Sequence, residues 1–250
     1  MSTWRRFGDS WCLIPREPRG LVEFLGGSYL AATPQISYRR LLEGLAQRGL
    51  AVHAWSYVPG FDHQLQARQA WSSMRECRSR LEQRLGQRFL PLKLGHSLGC
   101  KLHLLAPDGG RGGLGLIALS FNNFTADQSI PFLGMVAPSL GVNTEFSPSP
   151  QETLRLIQRH YLQRNNLVVR FGNDQLDQSQ DLIAALQARP ADASQLIHLP
   201  GDHLTPASAG LRRQFLGDWA EGDDRQRQVE ELQTLIADWA LRIQSANSSS

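Results

Sequence analysis

Short apolar runs alternate with longer amphipathic ones along most of this chain. Gly20–Leu25 (GLVEFL) reads as a strand and leads into a glycine turn, Gly26–Gly27–Ser28. From Tyr38 to Arg48 apolar residues recur at helical spacing, with Leu41, Leu42 and Leu45 on one face and Gly49 where a helix would end. Leu50–Tyr57 reads as the next strand, and Asp62 to Leu85 as a long helix carrying Trp71, Met74 and Leu81 at roughly helical intervals. Phe89–Leu94 is a predicted strand that runs into GHSLG, with a helix continuing over Cys100–Leu105. Leu114–Ser120 is almost wholly apolar, as expected of a parallel strand covered on both faces. From Asn122 to about Pro150 the pattern lapses into Pro, Gly, Ser and Asn. A helix follows from Pro150, where Ser149 and Glu152 have the spacing of a capping box. Leu167–Phe171 and Gln195–Leu199 read as strands flanking a helix over Gln178–Arg189, and Gln226–Ser245 as a closing amphipathic helix.

Repeated strand–helix alternation predicts a mostly parallel central sheet with helices on both faces. No shift in composition marks a second unit. Residues 1–250 therefore read as one α/β domain, with a cap or insertion at about 122–165. That length suffices to bury a substantial core.

Composition narrows the function classes. At 41% hydrophobic and 20% charged residues the chain is ordinary for a globular protein. The formal charge is +3, carried mostly by Arg residues scattered as pairs (Arg39–Arg40, Arg212–Arg213) and singly. A nucleic-acid partner would call for a concentrated basic face, so none is expected. Cys12, Cys77 and Cys100 form no CxxC pair and no even-numbered framework, which fits reduced thiols. The N-terminus lacks an apolar stretch, and Gln128–Thr144 is broken by Pro131 and Pro138. No integral membrane segment is expected, and a cytoplasmic location is.

The chemistry centres on Gly95–His96–Ser97–Leu98–Gly99. A serine between the end of a strand and the start of a helix sits on a turn too sharp for Cβ atoms on both flanks, and glycines two positions away on either side remove them. Such a hydroxyl lies at the carboxyl edge of the sheet, where open α/β sheets bind ligands. A nucleophilic serine needs a base, and the base an acid, in the chain order Ser, Asp or Glu, His. The strand Leu167–Phe171 is followed by the acidic turn Gly172–Asp177, and Gln195–Leu199 by Gly201–Asp202–His203. His203 is the expected base. Asp174 is preferred as the acid with Asp177 as the alternative, whichever is not the acid serving as a turn or helix-cap residue. Two N–H groups for an oxyanion are expected from Leu98 and from the Gly27–Ser28 turn, with His96 and Tyr29 as candidate substrate contacts. Asp202 and His203 lack an HxH or HxxxH partner, so no metal site is expected there. The constellation predicts the α/β-hydrolase fold.

The chain also resembles the DUF1350 family, α/β-hydrolase-like proteins of cyanobacteria and plant plastids. The resemblance is carried by WRRFGDSWCLIPREPRGLVEFLGGSYLAATPQISYRRLLEGLAQRG, LGHSLGCKLHLL, IALSFNNF, FSPSPQETLRLI and RFGNDQLDQS. It implies the hydrolase fold, supports Ser97 as the elbow serine and admits a plastid stroma as the location if the source is a plant. It supplies no substrate, and FLGGSY in place of the HGGG of lipases means lipase specificity does not carry over. The leading expectation is a cofactor-independent serine hydrolase acting on an ester, thioester or amide of a small or acyl substrate, with Ile130–Val142 either a cap or acyl-binding wall or a packed insertion without substrate contact. The competing one is a binding or assembly protein that keeps the scaffold without turnover. The sequence leaves the oligomeric state open.

Overall fold

The structure, a computed structural model, describes residues 3–126, 145–208 and 223–248. In chain order its elements are β1 (Arg5–Phe7), β2 (Ser10–Leu13), β3 (Gly20–Leu25), α1 (Pro34–Ser37), α2 (Arg39–Gln47), β4 (Leu50–Trp55) and α3 (His63–Leu85). They continue with β5 (Leu92–His96), α4 (Leu98–Leu104), β6 (Gly115–Leu119), α5 (Pro150–His160), β7 (Asn166–Phe171), α6 (Ser179–Gln187), β8 (Gln195–Leu199) and α7 (Asp223–Ser248). The strands form one sheet in the order β1-β2-β4-β3-β5-β6-β7-β8. From β4 to β8 all neighbours are parallel, whereas β1–β2 and β2–β4 are antiparallel.

Period-two alternation sorts the core into two layers. Val22 and Phe24 of β3, Val52 and Ala54 of β4, Leu92 and Leu94 of β5, and Ile117 and Leu119 of β6 point to one side. There they bury the apolar faces of α2 (Leu41, Leu42, Leu45) and α7 (Leu232, Ile236, Trp239). The intervening residues face the other side, where Leu25, Trp55 and Met74 pack with α4, and Ala118 and Val168 pack with α5 and α6. Trp239 lies directly over Gly115, where a Cβ would come within 2.6 Å of the indole.

Three local departures from the sequence reading have simple causes. The N-terminal segment, which carries no strong alternation, folds as the β1–β2 hairpin through Gly8 at φ +54° and adds an antiparallel edge to the sheet. The strand expected at Phe89–Leu94 begins only at Leu92, because Pro91 has no N–H to give to a neighbouring strand. It runs on to His96, and α4 starts directly after Ser97, two residues before the helix expected at Cys100. The expected acyl wall at Ile130–Val142, together with the rest of residues 127–144 of the cap region, lies outside the described residues. Among the described residues, no helix is long and apolar enough to cross a membrane.

The topology positions the site. β4 lies on one side of β3, and the chain then crosses to place β5 on the other. The loops leaving β3 and β5 diverge at their carboxyl ends, and such switch points open the crevice of doubly wound sheets. The turn Gly26–Ser28 and Ser97 occupy these two loops.

Candidate active site

Ser97 sits at φ 54°, ψ −121°, a left-handed conformation that costs a residue with a side chain on the order of 1–3 kcal/mol. The surroundings enforce it. The Ser97 N–H donates to the Leu119 carbonyl at 2.9 Å and the Ser97 carbonyl accepts from Cys100 N–H at 3.1 Å. A Cβ on Gly95 would meet the Cys100 backbone at 2.6 Å, and one on Gly99 the Leu25 carbonyl oxygen at 2.0 Å. Both flanking glycines are thus demanded by backbone passing close by, the relation anticipated from GHSLG. Leu98, the first residue of α4, has an N–H with no intrahelical acceptor.

His203 follows β8, and its Nδ1 hydrogen-bonds Asp174 Oδ2 at 2.8 Å. Asp174 is 5% exposed, and its other oxygen accepts from Leu176 N–H at 2.9 Å. Burial acts to raise its pKa, but the hydrogen bond and charge of His203 outweigh that and hold the carboxyl below the usual range. Asp177 has a different setting. It accepts from Ser179 Oγ at 2.6 Å and Ser179 N–H at 3.1 Å at the start of α6, with Arg170 at 3.5 Å. Burial pushes its pKa up. Of the two acids weighed from sequence, Asp174 is beside the imidazole and Asp177 is held by Ser179 in the turn that leads into α6. Asp202, next to His203 in sequence, pairs with Arg225 at 3.0 Å.

His96 requires a correction. The sequence reading makes it a candidate substrate contact, yet it is 1% exposed and both ring nitrogens are engaged. Nε2 lies 2.8 Å from the His203 carbonyl oxygen, which can only accept, so Nε2 carries the proton. Nδ1 must then accept, and the Tyr38 hydroxyl donates to it at 2.8 Å. The Tyr38 oxygen in turn accepts from Gly27 N–H at 2.8 Å. This chain runs from the β3 loop through α2's approach to the β8 loop, and it defines a neutral His96. Burial, with His203 nearby, pushes the His96 pKa down to about 3, in keeping with that form.

The same chain corrects the expected oxyanion donors. The Gly27 N–H is engaged by Tyr38, which leaves Leu98 and Ser28 of the three residues named from sequence. Gly27 still matters sterically, because a Cβ there would stand 3.0 Å from Ser97 Cβ and 3.1 Å from His96 Nδ1. Tyr29, the other expected substrate contact, is 73% exposed at the edge of this loop. Tyr38 and Tyr57 went unrecognised in the sequence. The Tyr57 hydroxyl donates to the Gly26 carbonyl at 2.7 Å, so two buried phenols hold the loop after β3. Each is a lone tyrosine at an element boundary, and no local pattern marks it.

The chain resembles solved hydrolase structures along nearly its whole length. Carboxyl esterase 2 from the fungus Tuber melanosporum matches with a TM-score of 0.63 at 15% identity, covering 95% of this chain and 87% of that one. Dienelactone hydrolase from Anabaena variabilis matches with a TM-score of 0.58 at 17% identity, covering 97% and 96%. Est1E from Butyrivibrio proteoclasticus matches with 0.57 at 14% identity, covering 98% and 99%. At these identities the likeness establishes the fold alone, and the fold is that of the α/β hydrolases. A search of curated proteins finds no significant match. Residues 3–233 match the family model described as a protein of unknown function (DUF1350), and the chain therefore belongs to the DUF1350 family.

Proposed function

We propose that this protein is a serine hydrolase that cleaves an ester, thioester or amide bond of a small or acyl substrate. The observation that carries the reading is the 2.8 Å pairing of His203 Nδ1 with the buried Asp174 carboxylate, next to a serine held at positive φ at the switch point of the sheet. In this reading Ser97 Oγ attacks the substrate carbonyl while His203 Nε2 takes its proton. Asp174 fixes the imidazole with its Nδ1 protonated and stabilises the imidazolium that forms. The Leu98 and Ser28 N–H groups stabilise the oxyanion. The tetrahedral intermediate collapses as His203 returns the proton to the leaving group, and water then releases the acyl group by the reverse sequence.

A second reading, binding without turnover, draws on one feature: among the described residues Ser97 Oγ makes no hydrogen bond. Serine–base bonds commonly tighten only when substrate arrives, so this geometry is compatible with catalysis as well. Intact-mass analysis after exposure to a fluorophosphonate probe separates the two. A single adduct on the wild type, absent from Ser97→Ala and strongly slowed in His203→Ala, is the expected result. No adduct on a folded wild-type chain would sink the hydrolase reading in favour of the binding one.

A further inference from the structure

On the opposite flank of the sheet, the side of β2, β4 and α3, a second chemical cluster is buried. Cys12 of β2 and His53 of β4 are direct cross-strand partners, so their side chains share one face. Cys77 reaches down onto that face from α3. The Cys12 and Cys77 sulfurs are 3.1 Å apart, and the ligand atoms of all three residues lie within 4.8 Å of one another. His53 is 1% exposed, and its Nδ1 is buried with no hydrogen-bond partner. Two buried thiols alone could be small apolar fillers. A buried imidazole nitrogen left unpaired beside them is not explained that way, since buried polar atoms are almost always satisfied.

We infer that Cys12, Cys77 and His53 form a binding site for a thiolate-seeking d10 cation, and that the three-donor set suits Cu(I). Donors around such an ion stand roughly 4 Å apart at metal–ligand distances of about 2.0–2.3 Å, a spacing these residues reach with small side-chain adjustments. Two thiolates and an imidazole are soft and borderline ligands, the class that selects Cu(I) and Zn(II) over harder cations. Zn(II) almost always takes four ligands, whereas Cu(I) accepts trigonal coordination. Glu23 occupies the next position along the same face, opposite His53 on β3, but Lys93 and Arg78 hold its carboxylate. It is therefore not a ready fourth ligand.

The approach to the site points the same way. Cys12 lines a surface cleft together with Arg5, Arg16 and Arg84. A cationic entrance disfavours a hydrated divalent ion and favours an ion carried in an anionic complex, which is how Cu(I) travels with small thiols. Transfer is then a ligand exchange. The Cys12 and Cys77 thiols give their protons to the two carrier thiolates as copper passes to the protein sulfurs, and an imidazole nitrogen of His53 supplies the third bond. No redox change occurs. Arg84, which lines the same cleft as Cys12, is positioned to offset the resulting negative charge.

The test uses the reduced full chain under anaerobic conditions, with the Cu(I)–glutathione complex in one arm and zinc chloride in the other. After desalting, elemental analysis is expected to find one copper per chain in the wild type and a copper-edge absorption spectrum showing two sulfur neighbours and one nitrogen. Cys77→Ala is expected to lose the metal, and His53→Gln to lose it at least tenfold more readily to a chelator. The spectrum of the wild type keeps the proposal testable even if a variant misfolds. Failure of the wild type to retain stoichiometric copper would overturn it, as would copper bound identically in His53→Gln. Retention of zinc but not copper would overturn the choice of ion. A chain that takes up neither metal but closes a Cys12–Cys77 bridge with a small-molecule disulfide would replace the metal site with a redox pair.

Discussion

The imidazole of His96 donates through Nε2 to the backbone carbonyl of His203, 2.8 Å away and 107 residues further along the chain. The residue beside the elbow serine thus ties down the loop that carries the proposed base. The Tyr38 hydroxyl completes the tie by accepting from Gly27 and donating to His96, so three loops at the carboxyl edge of the sheet share one set of hydrogen bonds.

Tyr38→Phe removes the shared hydroxyl and leaves the Gly27 N–H and His96 Nδ1 without partners in a buried setting. The expected cost is about 1–3 kcal/mol of stability, read from urea denaturation. The rate of fluorophosphonate labelling is expected to fall as well, because the β3 and β8 loops lose their common anchor. Unchanged stability would show that the phenol is only filling space.

Asp174→Asn and Asp177→Asn are expected to separate cleanly. The first removes the charge that orients and stabilises the His203 imidazole, so labelling of Ser97 is expected to slow by about 10²–10⁴-fold while the chain stays folded. The second weakens the start of α6, costing about 1 kcal/mol and changing labelling by no more than a few-fold. The paired labelling rates and denaturation midpoints check both, and a reversed order would exchange the roles of the two acids.

Gly99→Ala places a methyl group 2.0 Å from the Leu25 carbonyl oxygen, with only backbone to give way. Destabilisation by about 3 kcal/mol or more is expected. Gly60→Ala is the contrasting case, because a Cβ there meets only the flexible end of Gln66 at 3.8 Å. It is expected to be near neutral in the same thermal or chemical melt.

Stability is expected to fall as the solution is acidified below about pH 6.5. Burial pushes His53 down to about 4, and His63, His96 and His103 each down to about 3. In the fold these rings stay neutral, whereas in the unfolded chain they take up protons near the ordinary value of 6.5. Between the two values the unfolded state binds more protons, so each group contributes stability that is present at neutral pH and lost as pH drops, by up to about 1.4 kcal/mol per unit. Asp174, held below the usual range, adds loss of the same sign at still lower pH. Urea midpoints at pH 7 and pH 5 are expected to differ by at least about 2 kcal/mol in unfolding free energy. A flat profile would contradict the burial of these rings as neutral groups.

Much of this molecule is legible from residue order alone. The parallel strands carry apolar runs that nothing but double-sided burial explains, and the elbow declares itself because two glycines must flank a serine at a strand–helix junction. An acidic turn after β7 and a histidine after β8 follow from chain order, since each lies at the carboxyl end of its strand. What remained for tertiary structure was decided by contacts between residues far apart in sequence. Asp174 and Asp177 share one turn, and only the packing of α6 and the β8 loop determines which carboxylate meets His203. Local pattern points His96 and the Gly27 N–H at a substrate, but Tyr38 at the start of α2 engages both. Cys12, His53 and Cys77 show no spacing that marks a cluster, because a strand pairing and a helix crossing bring them together. Local pattern determines which residues form strands, helices and turns, whereas the direction in which each polar group is satisfied depends on neighbours that only the folded chain supplies.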